Sequence, residues 1–157
     1  MSFKVLSAAT LGLQSEIVEV EVDILAAGLH QFNIVGLPDL AVKESRDRVG
    51  SAIKNSLFKP PHQCGRVTVN LAPADLKKEG PVYDLPIALG FLLATRQIDF
   101  DFTNKLFLGE LSLDGKIRPV KGVLPMALMA KEKGIRDIFV NRRNILFFFV
   151  LVNRTQA

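Results

Sequence analysis

The chain has no tryptophan, one tyrosine, one cysteine and two histidines among its 157 residues. With Cys64 alone, no intramolecular disulfide can form, and with no start resembling a signal peptide the expected compartment is the cytoplasm. His30 and His62 stand in separate connecting stretches, so no metal-ligand cluster of the usual short spacing is available, and simple exposure or a structural role is the reading for both. There is no G-x-x-x-x-G-K-S/T run to cradle a nucleotide phosphate and no G-x-S-x-G elbow to present a serine. The most apolar run, 145–152, is far shorter than the about 18 residues that a spanning helix needs, which excludes a membrane span. Internal repeats and low-complexity linkers are absent as well.

What is present suits one domain with a sizeable core: 48% of the residues are hydrophobic and 23% charged. The net charge of +4 permits an anionic partner such as nucleic acid, nucleotide phosphate or an acidic protein surface without selecting among them. The stretch 77–94, KKEGPVYDLPIALGFLLA, reads as a charged glycine-proline turn followed by a helix that is apolar on nearly every side, and such a helix must be buried. Asp84 is expected to cap it, where a carboxylate satisfies a free N–H and complements the helix dipole, and Pro86 fits the first turn. The same turn is where an α/β enzyme would place a nucleophile or an anion.

Around that helix the spacing predicts strands over 3–9, 16–25 and 31–35. Val18, Val20, Val22 and Ile24 alternate with Glu19, Glu21 and Asp23, as a half-buried strand requires, so this row of carboxylates is read as a solvated face and not as an acid-base pair. An amphipathic helix capped by Asp39 is expected to about residue 57, with Glu44 and Arg48 paired four apart. After the 59–62 connector come a strand over 66–71, the buried helix, and a hairpin over 106–120 turning at Asp114-Gly115. A helix over 124–133, stopped by Gly134, and a strand over 135–140 complete an α+β, mixed-layer architecture.

Three of these segments carry a resemblance. VGLPDLAVKESRDRVGSAIKNS (35–56), VNLAPADLKKEG with YDLPIALGFL (69–92), and LGELSLDGKIRPVKGVLPMALMAKEKG (108–134) closely resemble the N-terminal domain of the magnesium-chelatase-like AAA+ ATPases, the ComM/YifB group with its ChlI relatives. The likeness runs from about residue 3 to residue 140. It implies a Lon-protease-like fold placed before an ATPase domain that this sequence does not contain. ATP and magnesium are expected only in that missing domain, with no cofactor and no metal here. For the full-length family protein it implies a hexameric motor acting on branched DNA during natural transformation. Porphyrin metalation is not implied, because that label comes from relatives of the ATPase domain.

Lon-type proteases carry a serine where the buried helix begins and a lysine after the glycines that follow the later hairpin, the lysine serving as base. Matching the serine segment to GPVYDLP puts Asp84 at the serine position, or Val82 or Tyr83 with a different gap. Matching the lysine segment to Lys121-Gly122-Val123-Leu124 puts Leu124 where the lysine would stand. Both members of the dyad are replaced, so the resemblance implies a protease fold without protease chemistry. A catalytic couple could be rebuilt by pairing Asp84 with Lys78 or Lys121, against which a carboxylate held as a helix cap is a poor acyl-transfer nucleophile. Gly80 and Pro81 are read as turn residues rather than as an oxyanion device.

The expected role is therefore a non-catalytic accessory domain, 1–140, serving assembly or DNA contact beside its AAA+ motor, with a homo-oligomer among the expected partners. The alternatives are a hydrolase with altered catalytic residues and a simple basic DNA-binding module. The candidate nucleic-acid contacts are Lys43, Arg46, Lys54, Lys116, Arg118 and Lys121, which would have to share one surface. The tail, 141–157, departs from the family pattern: NRRN leads into ILFFFVLV, a composition that invites strand-edge pairing and is compatible with a fragment or a changed reading frame.

Overall fold

Along β2 (Gln14–Leu25) Val18, Val20 and Val22 are fully buried, while Glu19, Glu21 and Asp23 take the opposite face. A computed structural model describes residues 2–145. In it β1 (Ser2–Leu11) and β2 form a long antiparallel hairpin at the centre of a six-stranded sheet. The further strands are β3 (Gln31–Val35), β4 (Arg66–Ala72), β5 (Lys105–Phe107) and, last in the chain, β8 (Asp137–Phe139), in the spatial order β3-β4-β2-β1-β5-β8. The sheet is mixed: β1–β2 and β2–β4 pair antiparallel, β3–β4, β1–β5 and β5–β8 parallel. On its polar face Lys4 bridges Glu19 and Glu21 at 3.3 and 3.1 Å, and Asn70 donates to Glu21 at 2.7 Å. That row of acids is a solvated strand face, balanced across strands.

The buried valines meet the helices. The apolar helix α3 (Asp84–Ala94) lies against β1 and β2, with Ile87 and Phe91 fully buried. At their crossing a Cβ added to Gly90 would stand 2.6 Å from the Val22 Cγ2, so glycine sets how closely helix and sheet approach. The helix α4 (Val123–Glu132) covers the neighbouring part of β2 through Met126 and Met129. Gly134, at φ +71°, stops it as the sequence predicts.

Three expectations are corrected. The helix expected from Asp39 to about residue 57 is two: α1 (Leu40–Lys43), which Asp39 does cap by accepting the Val42 N–H at 2.8 Å, and α2 (Ser45–Asn55). The break lies where the Ala41 carbonyl accepts from the Arg48 Nη2 at 2.8 Å, whereas in an unbroken helix it would accept the Ser45 N–H. Second, the long hairpin over 106–120 is shorter. β5 joins the main sheet, and only β6 (Glu110–Leu111) and β7 (Ile117–Arg118) pair as a hairpin. In its turn only Gly115 has positive φ, +89°, and the Ser112 hydroxyl accepts the Lys116 N–H at 3.1 Å.

Third, Asp84 does not cap α3. A short 3-10 turn, Pro81–Tyr83, precedes the helix, the Leu85 N–H donates to the Gly109 carbonyl at 3.0 Å, and the Asp84 carboxylate is drawn elsewhere. As for the apolar tail, Ile145 is exposed and 146–157 lie outside the described residues.

Candidate functional site

Asp84 is the best-held carboxylate among the described residues. It is fully buried at the start of α3 and accepts three hydrogen bonds: from Arg48 Nε at 2.7 Å, from Arg48 Nη2 at 3.1 Å and from the Leu111 N–H at 3.0 Å. The two-pronged contact fixes α2 to α3, and Asp84 beside the guanidinium holds the arginine above its ordinary pKa. Neither lysine considered as a partner for Asp84 fills that role. Lys78 is fully buried and its Nζ donates to the Pro73 carbonyl, while Lys121 sits in a different cleft. With both oxygens engaged in these bonds, Asp84 is a structural carboxylate.

That different cleft, about 570 Å³, lies between the turn before α3 and the start of α4. Gly80, Val82, Tyr83, Lys121 and Gly122 line it, whereas Asp84 and Leu124 do not. Of the residues matched to the protease serine, it is therefore Val82 and Tyr83 that face the cleft. Leu124 stands partly exposed in the first turn of α4. The Tyr83 hydroxyl has no hydrogen-bond partner among the described residues, and burial pushes its pKa well up, helped by the charges of Asp39 and Glu79. Asp39 uses both oxygens, one on Val42 and one on the Gly80 N–H at 3.2 Å.

The candidate cations divide over several places. Lys43 ends α1. Arg46 and Lys54, both on α2, line a depression of about 440 Å³ with His30 and His62. Arg46 lies 3.9 Å from Asp47, and His30 accepts the Gly65 N–H on its Nδ1 at 3.1 Å. Lys116 and Arg118 line a second depression of about 870 Å³ around the β6–β7 hairpin. Lys121 belongs to the cleft described above. The six candidates are thus spread over α1, the α2 depression, the hairpin depression and the Lys121 cleft.

Two cations that the sequence reading did not name as contacts belong to the second depression. Arg142 and Arg143 are exposed and line it with Lys116 and Arg118. They are held there by the asparagines that flank them. Asn141 Nδ2 donates to the Ile117 carbonyl at 2.5 Å, and Asn144 both donates to the Val120 carbonyl at 2.8 Å and accepts the Val120 N–H at 3.3 Å. The signal was the N-R-R-N run itself, two arginines flanked by side chains able to donate to and accept from backbone groups. Among the described residues no group of three or more His, Cys, Asp or Glu side chains could hold a metal ion, and no helix is long and apolar enough to cross a membrane.

Comparison with known proteins gives the family. Residues 19–144 match the family described as subunit ChlI of Mg-chelatase. The chain is 46% identical over 141 residues to Competence protein ComM of Haemophilus influenzae, covering 89% of this chain and 27% of that protein. It is 46% identical over 140 residues to the uncharacterized protein YifB of Escherichia coli, covering 87% and 26%. A lesser similarity, 31% over 72 residues, links it to Lon protease 2 of Bacillus subtilis, covering 46% of this chain and 13% of the protease. The mixed sheet with its buried helix is accordingly a Lon-like fold. The chain spans about a quarter of the length of the curated ComM and YifB relatives it matches. With the ChlI match running over most of its residues, the chain belongs to the magnesium-chelatase-like family, in its ComM/YifB group.

Proposed function

We propose that this chain is a non-catalytic accessory domain of a ComM-type AAA+ ATPase, working in the cytoplasm and serving assembly and DNA contact in branch migration during natural transformation. ATP and magnesium belong, on this reading, to the ATPase domain, and the copies meet as a homo-oligomer through that motor. The observation that carries the proposal is the state of the protease positions. Val82 and Tyr83 face the cleft where a serine would be needed, Leu124 replaces the lysine, and Asp84 is committed to Arg48 and Leu111. A hydrolase of altered chemistry would need a free nucleophile beside a base, and Asp84 is not free.

Two assays on the 157-residue chain test this reading. Incubation with fluorogenic peptides and casein is expected to release nothing above buffer; turnover abolished by Val82 or Tyr83 substitution would overturn the non-catalytic half. Fluorescence anisotropy of labelled single-stranded, duplex and branched DNA, repeated across salt concentrations, is expected to show binding that weakens as salt rises. No binding at low salt would remove the DNA half and leave assembly.

A further inference from the structure

The depression around the β6–β7 hairpin differs from the other clefts in its charge. Four cations, Lys116, Arg118, Arg142 and Arg143, line it with one carboxylate, Asp114. Asp114 is turned into its own loop: the Ser112 hydroxyl donates to it, the Lys116 N–H does so at 3.2 Å, the Lys116 Nζ stands 3.5 Å away, and the bonds from Ser112 and the Lys116 N–H hold its carboxyl below the usual carboxylate range. Arg118 is shared at 3.6 Å with Glu110, which lies in the neighbouring cleft. Even counting Glu110, the excess is two positive charges. The α2 depression sets Arg46 and Lys54 against Asp47, an excess of one.

The arginines are also positioned. In the 141–144 segment Asn141 and Asn144 are pinned to the backbone of Ile117 and Val120, and the Arg143 N–H donates to the Asn141 Oδ1 at 2.9 Å. Arg142 and Arg143 therefore project from an anchored turn rather than from a loose end, and guanidinium forks match phosphate oxygens two at a time. The polar lining carries four cations, the apolar part is Leu113, Ile117 and Pro119, and among the described residues no aromatic ring lines the depression on which a base could stack. These features suit a sugar-phosphate backbone read without regard to sequence.

We propose that this depression, and not the face of α2, is the phosphate-contact site of the domain, with Arg142 and Arg143 as its principal contacts and Lys116 and Arg118 beside them. The ligand class is the backbone of duplex nucleic acid. The assignment rests on the DNA-contact half of the proposed function and says where that contact lies.

The test is anisotropy of a labelled duplex against the 157-residue chain between 50 and 200 mM salt. Four phosphate contacts predict a log–log slope of about −3.6, a loss of about a hundredfold over that range. Arg142→Gln with Arg143→Gln is expected to flatten the slope by about 2, while Arg46→Gln with Lys54→Gln leaves it unchanged. Circular dichroism confirms that each variant is folded. Asn141→Ala with Asn144→Ala keeps every charge and is expected to weaken binding by releasing the turn. If the wild type binds but the Arg142/Arg143 variant keeps its slope, or if the loss falls on the Arg46/Lys54 variant, this placement is wrong while the DNA-contact reading stands. No binding by the wild type overturns both. Poly-L-glutamate that displaces the labelled duplex as well as unlabelled duplex does, at equal charge, would reassign the depression to an acidic protein surface and overturn the nucleic-acid assignment.

Discussion

Arg48 and Asp84, 36 positions apart in sequence, make the two-pronged ion pair that ties α2 to the buried helix α3. Asp84 is fully buried and the Arg48 side chain is 20% exposed, so the pair is desolvated on its acidic side. Removing one partner leaves a buried charge without compensation. Arg48→Met is expected to lower stability by about 3–5 kcal/mol in urea unfolding, and Arg48→Met with Asp84→Leu to recover most of that loss. Recovery would show that the pair specifies the junction more than it stabilises it; a double variant as unstable as the single one would show the reverse.

Lys78 gives a dependence on pH. Burial lowers its pKa in the folded chain below the ordinary 10.5. Between the lowered folded value and that of the unfolded chain, the unfolded state binds more protons, so this residue's contribution to stability improves as pH rises through that window. Lys78→Met removes the term. The stability difference between variant and wild type is therefore expected to shift in favour of the wild type between pH 7 and pH 10.5, as read by urea midpoints.

The Tyr83 hydroxyl is buried without a partner among the described residues. Leaving a buried donor unmade costs about 1–3 kcal/mol. Tyr83→Phe is expected to raise the thermal midpoint, and a lowered midpoint would mean that the hydroxyl is bonded in solution.

Gly90 tests the contact between helix and sheet. A methyl group there meets the Val22 Cγ2 at 2.6 Å, and Val22 is β-branched and fully buried, with little room to turn. Gly90→Ala is expected to cost about 1–3 kcal/mol through overpacking, despite the better helix propensity of alanine.

The elements legible in the sequence are those whose pattern is local. β2 and β4 follow from period-two alternation, α3 from an apolar run, and the end of α4 from Gly134. What was not legible depends on residues far apart. The break between α1 and α2 arises because Arg48, drawn to Asp84, also takes the Ala41 carbonyl. Arg48 read alone offers only Glu44, which does approach it, at 3.7 Å. The run 106–108 is apolar in a hairpin as well as in a sheet, and only its parallel neighbours β1 and β8 decide between them. Lys78 reads as part of a charged, exposed turn, yet a bridge to Pro38 carries it inside. At the candidate site, residue type found Lys116 and Arg118. The arginines at 142 and 143 needed the asparagine contacts to bring them alongside.

The parallel pairing of β1 with β5 has a consequence for synthesis. The β1–β2 hairpin closes within the first 25 residues, but Leu6 meets its other neighbour only when Leu106 has been made. At about 5–20 residues per second, that leaves one edge of the central hairpin open for about 4–16 s on the ribosome. Throughout that interval β1, with Val5 and Ala8 destined for the core, offers unpaired backbone to any passing strand. Until β5 slots in beside it, strand pairing with another chain would compete with folding at that edge.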